Sequence, residues 1–231
     1  MRKKLTKGVT GRAAVVVAAL LSVATATAVP RDAMRVTVER NAGGGASAAF
    51  KFKRVPAPAR DDAATGARLA LVVGQRDANS ATLAALTDGA LPSNEDEPRA
   101  NFFFNAGTDG GRFLIDLGSA VEIAEVNSYS WHASSRAAQV YNLYASDGSA
   151  PNFDAAPDER THPASRGWKL IATVDTRPAR GEAGTQHGAS VNDAGGSLGK
   201  YRYLLFDAVP TEYDDPFGNT FFSEVDVIAK K

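Results

Sequence analysis

The hydrophobic positions of this chain fall into short runs, most of them alternating with polar residues and closed by Gly, Pro, Asn or Asp. Gly111 to Gly118 (GRFLIDLG) sets Phe113, Ile115 and Leu117 on one face and ends on a turn glycine. Tyr141 to Gly148 (YNLYASDG) is a β-prone run stopped by Asp-Gly, and Trp168 to Val174 (WKLIATV) follows it. Lys200 to Ala208 (KYRYLLFDA) and Thr220 to Ala229 (TFFSEVDVIA) complete the set. Short aromatic and β-branched runs punctuated in this way predict an antiparallel sandwich or barrel. Helical periodicity is weak everywhere, apart from a turn near Ala81 to Leu86.

Upstream the pattern is fainter. Met34 to Glu39 alternates weakly, as a stray strand would, and Asn41 to Ser47 (NAGGGAS) has the composition of a flexible linker. From Ala48 the pattern firms: Phe50 and Phe52 alternate with lysines until Val55-Pro56-Ala57-Pro58 ends the run, the prolines biasing their predecessors toward extended backbone. Leu69 to Val73 reads as another strand, closed by Gly74. Ile123 and Val126 stand three apart, which strict alternation does not place on one face, so a bulge or a strand break near Ala124-Glu125 is expected. There is no internal repeat of the kind that marks a solenoid or propeller. The chain therefore divides into residues 1–28, a flexible segment 29–47, and a β-sandwich domain over 48–231. Ser149 to Gly167, Arg177 to Ser197 and Pro210 to Asn219 read as long loops, where the specificity of a sandwich usually sits.

Residues 1–28 read as a signal peptide. Arg2, Lys3, Lys4, Lys7 and Arg12 make a basic start, Ala13 to Val23 is apolar but for Ser22, and Ala26-Thr27-Ala28 supplies small residues at a cleavage site. That apolar stretch is well short of the roughly 20 residues a spanning helix needs. The expected product is a secreted protein, extracellular or periplasmic, with no membrane span. Loss of these residues leaves 21 Lys+Arg against 26 Asp+Glu, a net charge of −5. Such a balance offers nothing to neutralise a phosphate backbone, so nucleic acid is not an expected partner. The absence of cysteine rules out a disulfide framework.

Catalytic signatures are thin. Gly195-Gly196-Ser197-Leu198-Gly199 matches G-x-S-x-G, but a nucleophile elbow needs a strand before it and a helix after it. Here glycines precede it, a strand follows it, and no histidine occurs after His187, so a turn is expected. The three histidines, His132, His162 and His187, show no metal-binding spacing. Asp88-Gly89 is a tight turn in which a carboxylate and backbone carbonyls suit a calcium ion, or in which Asp88 simply closes an Asx turn. In Tyr129 to Tyr141 (YSWHASSRAAQVY), Trp131, His132 and Arg136 cluster where a strand ends and a loop begins. An aromatic face with a guanidinium and an imidazole is a kit for gripping a sugar; equally, Trp131 plugs the core and the other two are solvated.

Asp88-Gly89, FLIDLG (113–118), the strand Glu122 to Tyr129, YNLYASDG, Trp168, KYRYLLFD (200–207) and FFSEVDV (221–227), in that order, resemble the discoidin family. This is the coagulation factor V/VIII type C group of the galactose-binding-domain-like superfamily. The resemblance spans roughly Ala48 to Ala229 and implies an eight-stranded antiparallel jelly-roll β-sandwich that binds ligands through loops at one end. It also implies a structural calcium ion near the Asp-Gly turn, making Asp88 and Glu224 candidate metal ligands. The sequence departs from the family where Ala90-Leu91-Pro92 follows the turn and where Phe102-Phe103-Phe104 occupies an aromatic slot. The expected function is a non-catalytic binding module for carbohydrate or another surface polymer, with Trp131, His132 and Arg136 as ligand-binding residues. Its rivals are an adhesion or structural protein with a protein partner, and a hydrolase with its carboxylates in the long loops.

Overall fold

The computed structural model describes residues 34–181, 184–212 and 219–231; the signal-peptide reading falls outside them. Ten strands occur among these residues: β1 (Met34–Asn41), β2 (Arg68–Val73), β3 (Phe102–Phe104), β4 (Gly111–His132), β5 (Val140–Ser146), β6 (Lys169–Asp175), β7 (Thr185–Asp193), β8 (Gly199–Ala208), β9 (Asn219–Phe222) and β10 (Glu224–Ala229). Eight of them form one continuous antiparallel system, and β3 pairs with β9 as a short separate ladder. This is the expected eight-stranded antiparallel jelly-roll sandwich.

The 22-residue β4 belongs to both layers. Its residues 111–116 pair with β2 and β8; its residues 123–132 pair with β10 and β7. Between Asp116 and Val121 the register jumps, and Gly118 takes φ +79°, so the strand bends from one layer into the other. One layer then runs β2-β4-β8-β5-β6 and the other β10-β4-β7-β1. Phe113, Ile115, Leu143, Leu204 and Phe206 of the first layer meet Val126, Ala189, Val191, Val225 and Val227 of the second in the main core. Of the two expected irregularities the structure has the bulge: Ile228 pairs with Glu125 but Ala229 with Ile123, so Ala124 is the extra residue and both Ile123 and Val126 reach the core.

Both outer faces are also covered. Leu114, Tyr144 and Leu205 lie beneath Trp168 and Phe153, brought there by the loop between β5 and β6. This is why FLI and YLLF read as continuous apolar runs rather than alternating ones. On the other layer Tyr129 and Trp131 lie beneath Phe50 and Val55.

One expectation is extended and one corrected. Met34–Asn41, whose first six residues read as a stray strand within the flexible segment 29–47, is β1, joined to β7 through eight paired residues. Arg177 to Ser197, read as a loop, contains β7, whose sequence TQHGASVND hides its pattern: only Ala189 and Val191 supply its core face. The G-x-S-x-G stretch is the turn from β7 to β8, closed by Gly196 N–H donating to Asp193 O at 2.8 Å, with Leu198 in the core.

Candidate functional site

A concavity lies where β2 and β8 end and β4 begins. Val73, Gly111, Arg112, Asp207 and Ala208 come together there by strand register. The backbones approach so closely that a Cβ on Gly111 would lie 2.3 Å from Val73 O, and one on Gly110, at φ +83°, 2.2 Å from Ala208 O. Only glycine fits this junction.

Arg112 organises one wall. It stands opposite Asp207 across the β4–β8 pair, and its Nε donates to Asp207 Oδ1 at 2.9 Å. Its Nη1 donates to the carbonyls of Pro157 (3.2 Å), Asp158 (2.6 Å) and Thr161 (2.9 Å). A buried guanidinium with nearly all its donors engaged is a rigid peg. It holds residues 157–161 over the strand ends, so that Glu159 and Arg160 face Gly74 and Gln75 across a cleft of about 740 Å³. Gly107, Thr108 and Asp109 form another side, and Val209, 43% exposed, adds an apolar contact. Amide, hydroxyl, carboxylate and guanidinium groups around an open cleft suit hydrogen bonding to a hydroxyl-rich ligand. No aromatic ring is among its lining residues.

The sequence did not single out this cleft. Its signals, an arginine inside GRFLIDLG and an aspartate inside KYRYLLFDA, are charges interrupting apolar strands. Only the register that sets them side by side shows that they are partners.

Trp131, His132 and Arg136 do not form one surface. Trp131 and His132 are consecutive on β4 and so project to opposite faces. Trp131 is 6% exposed, with Phe50 edge-on at 5.7 Å. His132 lies 4.6 Å from the Phe221 ring, and its Nδ1 accepts from Ser134 N–H at 3.0 Å. Arg136, in the turn Ser135–Ala137, donates from Nε to Ser134 Oγ (3.0 Å) and pairs with Glu212 at 2.9 Å. His132 and Arg136 are thus joined through Ser134, while Trp131 sits under the segment that carries Phe50.

Asp88 and Glu224 do approach one another. Asp88 is exposed, and its Oδ1 accepts from Ala90 N–H at 2.8 Å, an Asx turn. Glu224 begins β10 and is 1% exposed. Burial first, then the negative charges of Asp226, Asp88 and Asp62, push its carboxyl up to about 9, against a hydrogen bond from Gly89 N–H. Its Oε2 has no hydrogen-bond partner. A buried carboxylate with a free oxygen and only negative charges acting on it is a fitting ligand for a hard cation. Among the described residues no three His, Cys, Asp or Glu side chains group to hold a metal ion, so amide or carbonyl oxygens would have to complete the shell.

No family model and no curated protein matches the chain. Among solved structures, the lectin domain of lectinolysin complexed with Lewis B antigen is similar, with a TM-score of 0.47 and 14% identity over 74% of this chain and 98% of that one. Chitosan-binding module 1 from the chitosanase/glucanase of Paenibacillus sp. IK-5 gives 0.45 and 13%, over 73% and 99%. Module 2 of the same enzyme, in complex with chitotriose, gives 0.45 and 15%, over 73% and 100%. At these levels the likeness assigns no residue a role.

Proposed function

We propose that this chain is an exported, non-catalytic module of the discoidin type that binds carbohydrate or a similar hydroxylated surface polymer. The observation that supports this reading is the end cleft, whose wall is fixed by Arg112 and whose rim presents Gln75, Thr108, Asp109, Glu159 and Arg160. Arg112 and Asp207 have a scaffolding role. The rim side chains select the pattern of hydroxyls, and Val209 offers apolar contact to a ring face.

An open polar cleft binds weakly, with Kd nearer 1 mM than 1 nM, or about −4 kcal/mol. A glycan array followed by affinity electrophoresis tests the reading. Gln75→Ala, Asp109→Ala and Arg160→Ala should each weaken retention several-fold without moving the melting midpoint, because all three residues are exposed. Retention unchanged in all three but lost in Arg136→Ala would transfer the site to the His132–Arg136 cluster.

Glu224, with Asp88 beside it, is further proposed to mark a structural calcium site. A cation that binds only the folded state adds about 2.7 kcal/mol at 100 times its Kd. Melting in calcium and then in excess chelator measures this, and an unchanged midpoint would leave Asp88 with its Asx turn alone. For export, the expected mature N-terminus is Val29, which N-terminal sequencing of the released protein checks.

A further inference from the structure

Arg68 on β2, Asp116 on β4 and Tyr203 on β8 stand side by side, since Asp116 is the register partner of both the others. Their side chains share the outer face of the first layer, just before Gly118 bends β4 into the second. The end cleft lies at the other end of the same three strands, at Val73, Gly111 and Asp207. From Asp116 to Gly111 an extended chain covers about 17 Å.

Two guanidinium groups meet one carboxylate here. Arg202 takes both oxygens of Asp116, Nε donating to Oδ1 at 2.7 Å and Nη2 to Oδ2 at 2.9 Å, and Gly118 N–H donates to Oδ1 at 2.9 Å. The Arg202 guanidinium also lies 4.7 Å from the centre of the Tyr203 ring, so its plane is fixed from two sides. Its Nη1 is left without an acceptor among the described residues. Asp116 is held below the ordinary carboxylate range, first by the hydrogen bond from Arg202 and last by the charge of Arg68, and so stays ionised. Arg68 is exposed and enters no hydrogen bond or ion pair with the described residues. Since Arg202 and Gly118 already fill the carboxylate, Arg68 is a surplus cation.

That surplus stands at a concavity of about 280 Å³. Ala63, Ala67 and Leu117, half-buried against the main core, give it an apolar floor. Ala63 N–H donates to Val227 O and Ala67 N–H to Ala64 O, each at 2.9 Å, so the floor is tied down. Thr65 lines it too; its Oγ1 accepts from Asp62 N–H at 3.0 Å and keeps its own hydrogen to donate. At Gly66 and Gly118 a Cβ would meet nothing within 4 Å, so the mouth is open.

We propose that this concavity is a second binding site, for a carboxylate or sulfate group carried on a sugar ring, as in an acidic polysaccharide. Arg68 and Arg202 Nη1 take the anionic oxygens, the Thr65 hydroxyl donates to one of them, and the ring lies on the apolar floor. Two guanidinium groups against one carboxylate leave a net charge of +1, which suits a single anionic group rather than a phosphate backbone. The proposal does not depend on the cleft reading, because the two concavities share strands but no lining residue.

Calorimetry on the full chain with oligogalacturonate, which offers carboxylates, and with dextran sulfate, which offers sulfates, tests it. Salt is held at about 0.15 M, where charges beyond about 8 Å are screened. Wild type should bind at least one polymer, and which one tells carboxylate from sulfate. Arg68→Gln should weaken that binding about fivefold or more, and Arg202→Gln likewise. Lys53→Gln removes an equal charge from the segment that covers the other layer and should stay within about twofold of wild type, as should Asp109→Ala at the cleft. Arg68 has no partner to lose, so the melting midpoint of Arg68→Gln should match wild type. An equal loss in Lys53→Gln would reduce the binding to diffuse attraction and overturn the site. Unchanged affinity in Arg68→Gln, or a wild-type chain that binds neither polymer, would overturn it as well.

Discussion

Glu224 and Asp226 titrate in the direction that makes a protein less stable as pH rises. Burial, followed by neighbouring acids, lifts Glu224 to about 9; burial, with Asp62 and Glu125 adding, lifts Asp226 to about 7. Below their ordinary values of 4.5 and 3.8 both forms of the chain carry the protons, and the contribution to stability is complete. As pH rises, the unfolded chain loses its protons first, so stability falls until the folded groups also ionise. Asp116, held low chiefly by its hydrogen bond from Arg202, works the other way, but below 3.8, outside this window. In chelator, the urea midpoint should therefore decline from about pH 5 to about pH 9, and Glu224→Gln should flatten the upper part of the decline. Calcium should flatten it too, since the cation compensates the charge once the proton has gone. A level wild-type profile in chelator would show that these carboxyls ionise freely in the fold.

At the scale of elements, two buried anchors set the loops. Arg112 joins β4 and β8 to residues 157–161, and its loss would leave Asp207 and three carbonyls without their donor. Arg112→Met should cost about 3–5 kcal/mol, the usual price of breaking a buried pair from one side. It should also speed amide exchange in 157–161 before the strands exchange, which hydrogen-exchange mass spectrometry resolves. Trp131 anchors the other cover. Its ring meets Phe50, which also meets Tyr129 edge-on at 6.2 Å, so the segment around Phe50 is seated on these two rings. Trp131→Ala should cost about 3–5 kcal/mol by cavity formation. An affinity change in Trp131→Ala without any loss of stability would contradict that seat. That a strand ends near His132 was visible in the sequence; that both its faces are covered was not, because Phe50, which covers Tyr129, is 79 positions away.

On the scale of the whole molecule, the strands with strong apolar alternation were legible, and the strands that meet the core through one or two residues were not. FLIDLG, YNLYAS, KYRYLLFDA and SEVDVIA carry their own pattern, and even the bulge at Ala124 follows from the spacing of Ile123 and Val126. β7 lacks such a pattern and β1 shows it only weakly, because each is defined by the other. TQHGASVND gains its strand from the eight-residue register with MRVTVERN, with Met34 and Val38 packed against the core. The cleft escaped notice for a similar reason, since Arg112 and Asp207 are 95 residues apart. This mutual dependence gives a final prediction. A chain beginning at Ala48, the boundary the sequence alone suggests, would lack β1 and expose one whole edge of β7. Loss of the Met34 and Val38 contacts should cost roughly 2–3 kcal/mol, as two partly buried apolar side chains would. The freed edge is a template for pairing with another copy, so self-association should accompany the loss. Thermal melts and light scattering of the shortened and full chains measure the two effects separately. Equal midpoints and equal masses would make β1 an appendage rather than the strand that closes the second layer.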